Sequence, residues 1–295
     1  RRGDLWTEDH LKELNDGVVK LENVSNWSTK ELGLNNIFEQ VDKFAIQEQE
    51  HIEFFNYARE LGIDYSTSAF TKKDVDFCID QKVANLKVAS CDVTNLDLIE
   101  YVISKDYPTQ IALGMASLAE IEAIVNLIPE KYKHNVTLLH CVSLYPPKDE
   151  YVNLNFLKTL RQAFGMEVGY SDHTFGFSIP LAAVAFGATV IEKHFTLDKN
   201  MPGWDHKVSA NPEEMRIIAS ESKRIVDALG SGIKVVSEDE IAKQKKFRRS
   251  ITTANALKAG QEITYNDILF KRPGTGIPAN KYKEIIGRHV NRDIE

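Results

Sequence analysis

Two histidines open the chemical reading of this chain: His173 in "GYSDHTFG" and His194 in "TVIEKHFT". Each follows an apolar, strand-like run, at the point where a strand gives way to a loop. Two imidazoles ending adjacent strands can share one divalent ion and leave positions open for water and substrate. Other apolar runs also end in polar side chains: Thr67 and Ser68, then Lys87 with Ser90 and Asp92, then His140 with Ser143 and Tyr145. Ser171, Asp172 and Glu192 complete the set. Lys87 as a point charge, with the Ser and Thr hydroxyls as donors, has the makings of a phosphate cradle.

Plainer readings stand beside these. A strand-end histidine is more often a core residue bonded to a carbonyl, and His140, between two leucines and Cys141, fits that description. Lys87 alone reads equally as a snorkelling surface lysine or a Schiff-base former. Asp205 and His206, in "MPGWDHKVSA", read equally as turn residues. Ser171, Asp172 and His173 tempt one toward a hydrolase triad, but neighbours on a strand point to opposite faces and cannot form one.

The elements that must position these residues alternate from residue 63 onward. Strand-like runs are expected at 63–70, 85–90, 109–114, 136–143, 166–172 and 189–195, with amphipathic helices such as "NLDLIEYVISK" and "SLAEIEAIVNLIPEKY" between them. Strands buried on both faces, each followed by a helix, imply a parallel sheet with right-handed crossovers. The pattern predicts an α/β fold, a (β/α)8 TIM barrel whose first two strands are missing from this chain; only a weak strand at Val18–Leu21 is legible upstream. In such barrels the site is built at the C-terminal strand ends, where the polar residues fall.

After residue 232 a charged linker is expected over 233–246, then a small β-rich domain over 247–295 with "KAGQ" and "PGTG" turns. From Phe247 onward nine Lys+Arg face five Asp+Glu, whereas the rest carries 27 against 38. An acidic body joined to a basic tail argues against nucleic acid as ligand of the body. Composition, at 43% hydrophobic and 27% charged, is that of a globular protein. The longest apolar run, "IPLAAVAFGATVI", is too short for a membrane span, and with no signal-peptide pattern a cytoplasmic home is the default. Three cysteines without C-x-x-C spacing suggest neither a disulfide framework nor a zinc knuckle.

Taken together, "GYSDHTFG", "ATVIEKHFT", "PGWDHK", "LLHCVSLYP", "LKVAS" and "KRPGTGI" resemble the sialic acid synthase (N-acylneuraminate synthase) family. That resemblance implies a TIM barrel followed by a C-terminal antifreeze-like (SAF) domain. It implies condensation of phosphoenolpyruvate with an N-acyl mannosamine-type sugar, using a divalent metal (Mn2+ or Mg2+), to a nine-carbon 2-keto acid and phosphate. By the same resemblance His173 and His194 are metal ligands, and Thr67, Lys87, Ser90 and Ser171, with Ser143, are phosphoenolpyruvate contacts. Tyr145 and Asp205 become sugar contacts, Asp92 a sugar-contacting carboxylate, and Arg272 reaches the substrate from the neighbouring subunit of a domain-swapped homodimer.

The chain departs from the family pattern at several points. Ala112 stands where a serine is usual, Ser90-Cys91-Asp92 replaces Ser-Gly-Glu, Ser143 replaces Asn or Thr, and Trp204 replaces a common Pro. Two other readings remain at this level: a metal-dependent barrel hydrolase, and a non-catalytic carbohydrate-binding relative.

Overall fold

A computed structural model describes residues 45–201 and 205–295. It divides into two units, the first ending at Gly230 and the second spanning Ser231–Glu295. The weak strand expected at Val18–Leu21, and Trp204, lie outside the described residues.

In the first unit, six strands lie side by side in chain order: β1 (Thr67–Ser68), β2 (Leu86–Val88), β3 (Thr109–Ala112), β4 (Val136–Cys141), β5 (Glu167–Asp172) and β6 (Ile191–Lys193). Every pairing is parallel. The helices are α1 (Glu48–Glu60), α2 (Lys72–Asp80), α3 (Leu96–Ser104), α4 (Leu118–Asn126), α5 (Asp149–Val152), α6 (Phe156–Phe164), α7 (Ser178–Ala185) and α8 (Pro212–Leu229). A parallel neighbour requires such a crossover, and the result is the curved wall of a TIM barrel. The strands are shorter than the sequence runs that announced them, at both ends for β1 and β6.

Several helices begin at side-chain caps readable in the sequence. Thr71 and Asp74 cap α2 reciprocally, as do Ser117 and Glu120 for α4 and Asn211 and Glu214 for α8, where Pro212 takes the first turn. Each cap marks the return of the chain from the strand-end loops to the helix layer.

Register assigns every strand residue to a face. Leu86, Val88, Ile111, Leu138, Val168 and Tyr170 share the core with Val75, Ile99, Ile124, Leu157, Leu160 and Ala183 of the helices. The alternate residues therefore face the barrel interior: Ser68, Lys87 and Gln110 in one row, Ala112, Leu139 and Gly169 above them, then Cys141, Ser171 and Glu192.

The second unit begins with a segment expected to be a charged linker, but Glu238–Phe247 forms a helix, α9, capped where Ser237 Oγ accepts from Glu240 N. Three acidic residues in its first turn and two lysines in its last complement the helix dipole, which is why so polar a stretch is helical. Strands β7 (Ser250–Thr253) and β8 (Ile268–Lys271) then pair antiparallel, and α10 (Tyr282–Ile285) is a single turn. Ser250 ties this unit together, donating to Pro273 O at 2.7 Å and accepting from Gly276 N at 2.9 Å.

Candidate active site

The interior rows bring most of the predicted residues to the C-terminal strand ends. Lys87 starts low in the barrel, but its long stem carries Nζ to 3.3 Å from Glu192 Oε2. Ser171 Oγ donates to the other Glu192 oxygen at 2.6 Å. Ser90 Oγ accepts from Gly114 N at 3.1 Å. A Cβ placed on Gly114 would lie 2.2 Å from Ser143 Oγ and 2.7 Å from Ser90 Oγ. The bare backbone at Gly114 thus leaves room for two hydroxyls to stand side by side, a concave polar set of the kind that holds an oxyanion.

Cys141 lies in the same row, opposite Ser171. Burial pushes its thiol above the ordinary range, opposed by hydrogen bonding with Ser90, Ser171 and Ser143 and by the Lys87 charge. Cys141 precedes Ser143 by two, the strand-alternation spacing that would mark it in the sequence as sharing that face. The Glu192 carboxylate, in the same row, links Lys87 to Ser171.

The register separates two neighbours. Thr67 pairs with Leu86 on the helix-facing side, and Ser68 pairs with Lys87 on the interior side. Ser68, not Thr67, occupies the interior row. A slip of one residue in a strand exchanges its faces, and "STS" offers no apolar alternation to tell the two apart.

His173 and His194 follow the last residues of β5 and β6, with ring centroids 5.2 Å apart. His173 Nδ1 lies 2.8 Å from Val142 O, and His194 Nδ1 lies 3.6 Å from Asp205 Oδ2. Burial lowers the His173 pKa, against the opposing pull of the Val142 carbonyl, so the ring favours its neutral, ligating form. Tyr145 stacks on His173 at 3.9 Å between centroids and meets His194 edge-on at 5.5 Å. The strands therefore gather two imidazoles, a phenol and the Asp205 carboxylate beside the Lys–Ser cradle.

This pair passes a chemical test for a divalent ion. Ligating histidines commonly turn their second ring nitrogen to a carbonyl or carboxylate, which orients the ring and fixes its tautomer. Val142 O and Asp205 stand in those positions here. Among the described residues no group of three or more His, Cys, Asp or Glu side chains gathers as a metal cage. The donor set suits an ion sharing its coordination with water and substrate.

Asp92 ends a 3-10 turn, Ser90–Asp92, directly after β2, where Asn95 Nδ2 donates to its Oδ1 at 3.0 Å. His140 faces the opposite way from the site. Its Nε2 lies 2.6 Å from Val152 O and its ring packs on Phe156 and Tyr170, the core reading its sequence context suggested. Ala112 lies on the interior face, so the hydroxyl expected there is replaced by a methyl group. Arg272 belongs to the second unit, its guanidinium 5.4 Å from the Phe247 ring centre.

The NeuB family matches residues 14–234, most of the chain, and the SAF domain matches 248–295. The chain belongs to the NeuB family. An N,N'-diacetyllegionaminic acid synthase from Legionella pneumophila subsp. pneumophila is 36% identical over 261 residues, covering 87% of this chain and 73% of that relative. A pseudaminic acid synthase from Campylobacter jejuni subsp. jejuni serotype O:2 is 32% identical over 245 residues, covering 83% and 71%. Among solved structures, the N-acetylneuraminic acid (sialic acid) synthetase from Leptospira borgpetersenii serovar Hardjo-bovis, in complex with citrate, superposes with a TM-score of 0.63 at 34% identity, covering 67% of this chain and 69% of that one. These NeuB relatives favour neither the hydrolase nor the purely carbohydrate-binding alternative.

Proposed function

We propose that this chain condenses phosphoenolpyruvate with an N-acyl mannosamine-type amino sugar, yielding a nine-carbon 2-keto acid of the nonulosonate class and inorganic phosphate. The observation that carries the proposal is the convergence of Lys87, Ser90, Ser143 and Ser171 around Cys141, beside the His173–His194 pair, in a NeuB-family barrel.

In this reading Lys87 and the serine hydroxyls hold the phosphate and carboxylate of phosphoenolpyruvate, and Ser68 replaces Thr67 on the cradle side. His173 and His194 would hold a divalent ion, Mn2+ or Mg2+, which when bound would supply Lewis acidity toward the sugar's open-chain aldehyde. A carbon–carbon bond forms between the enol carbon of phosphoenolpyruvate and the aldehyde carbon, whose oxygen becomes a hydroxyl. Positive charge then develops at the former enol C2, water adds there, and phosphate leaves as the ketone forms. Glu192 lies within reach of both Lys87 and Ser171 and offers that charge a countercharge. Asp205 and Tyr145 border the histidines and hold sugar hydroxyls, and Asp92 serves as a further carboxylate for proton transfer.

The basic SAF domain completes the site from the partner subunit of a swapped homodimer, with Arg272 as the residue presented. We place the reaction in the cytoplasm; among the described residues no helix is long and apolar enough to cross a membrane. The deciding experiment measures phosphate release from phosphoenolpyruvate with a panel of N-acyl hexosamines and Mn2+. Release that depends on one or more of these sugars is expected. No release with any sugar overturns the proposal, and release from amide or ester substrates without phosphoenolpyruvate would point to the hydrolase.

A further inference from the structure

Behind the two histidines, on the helix-facing side of the wall, lies a buried ion pair that the proposed chemistry does not use. Lys193 Nζ donates to Asp172 Oδ2 at 2.5 Å, and these side chains are 1% and 0% exposed. The same ammonium donates to Thr174 O at 2.6 Å. Thr174 returns the contact, its N–H and hydroxyl donating to Asp172 Oδ1 at 3.1 and 2.9 Å. A cluster so fully satisfied has one geometry available to it, since breaking any arm strands a charge away from water.

Its place in the chain gives it meaning. Asp172 and Lys193 are register partners and form the last rung of the β5–β6 ladder. The next residue on each strand is a histidine. Beyond the rung no strand pairing fixes the distance between His173 and His194, although His194 O also accepts from Ala210 N at 2.7 Å. The ion pair ties the two strand ends one residue before each histidine, and the Thr174 arm grips the chain one residue beyond His173. His173 is thereby bracketed on both sides, and His194 is anchored through the adjacent Lys193.

We propose that Lys193 and Asp172 are positioning residues that set the separation and orientation of the His173 and His194 rings for a shared divalent ion. The inference rests on the metal reading above, and the test separates the two. Mn2+ affinity is measured by calorimetry, and the bound ion's signature by electron paramagnetic resonance, on the full chain. His194→Ala tests the metal reading, and is expected to lose binding. Lys193→Met alone strands a carboxylate and invites unfolding, so the informative variant is Asp172→Asn combined with Lys193→Met, checked for native circular dichroism. It is expected to stay folded, bind Mn2+ at least tenfold more weakly and show an altered signal, while Lys193→Arg stays within about threefold of wild type. Thr174→Val removes one arm without stranding a charge, and should weaken binding about threefold even if the double variant does not fold. A folded double variant, or Thr174→Val, that binds Mn2+ as wild type does overturns the positioning role while leaving the metal reading intact. No Mn2+ binding by wild type, or unchanged binding by His194→Ala, overturns the metal reading and this inference with it.

Discussion

Lys87 Nζ lies 3.3 Å from Glu192 Oε2, so the basic group of the cradle and a carboxylate two rows above it meet inside the barrel. The lysine side chain is 10% exposed, and the carboxylate beside it orients the ammonium. A phosphate entering the cradle meets a cation already paired and oriented. Replacing Lys87 by Ala should raise the KM for phosphoenolpyruvate roughly thirtyfold, equivalent to about 2 kcal/mol, and leave that for the sugar nearly unchanged. Steady-state kinetics with each substrate varied in turn checks this. A rise confined to the sugar would remove Lys87 from the phosphate.

Gly114 gives a sharper probe of the same cradle. A methyl group there would press on the Ser143 and Ser90 hydroxyls, which can rotate aside, rather than on backbone. Gly114→Ala should therefore cost little stability and raise the phosphoenolpyruvate KM about tenfold by displacing the Ser90 and Ser143 hydroxyls from the cradle. Thermal melts beside steady-state kinetics separate the two effects. A collapse of the melting temperature with intact kinetics would make Gly114 a packing residue only.

His140 carries a prediction about stability and pH. Burial lowers its pKa, with the Val152 carbonyl opposing. The unfolded chain therefore binds the proton more readily, at the ordinary value of about 6.5. Its destabilising effect is absent well above that pH, sets in as pH falls through the unfolded value and grows until the lower folded value is reached. Melting temperatures from pH 7.5 to pH 5 should fall less steeply for His140→Gln than for wild type, even if the variant is less stable throughout. Parallel curves would show that another group drives the acid sensitivity.

The proposed swapped dimer predicts complementation. Arg272→Ala and His194→Ala should each be inactive alone. After subunit exchange, a heterodimer holds one site with both defects and one with neither, and random mixing should restore about a quarter of wild-type activity. Silence from a sample shown by mass spectrometry to contain heterodimers would place Arg272 over its own barrel or outside the site.

The sequence by itself determined the parallel α/β wall, because buried strands and amphipathic helices announce themselves through apolar spacing and cap residues such as Thr71 and Ser117. It also singled out His173, His194, Lys87 and the serines, since polar residues ending apolar runs are conspicuous in one dimension. What it left open is which face each residue takes where the alternation is weak. Thr67 and Ser68 are both small hydroxyl residues, and only pairing with Leu86 and Lys87 distinguishes them. Cys141 reads as a core residue until the register sets it opposite Ser171. Asp172 stands out in the sequence only as one more polar strand end, and Lys193 not at all. Their role exists only across the β5–β6 pairing, because a hydrogen-bonded ion pair between residues distant in the chain is made by the packing of two strands, and no local spacing encodes it.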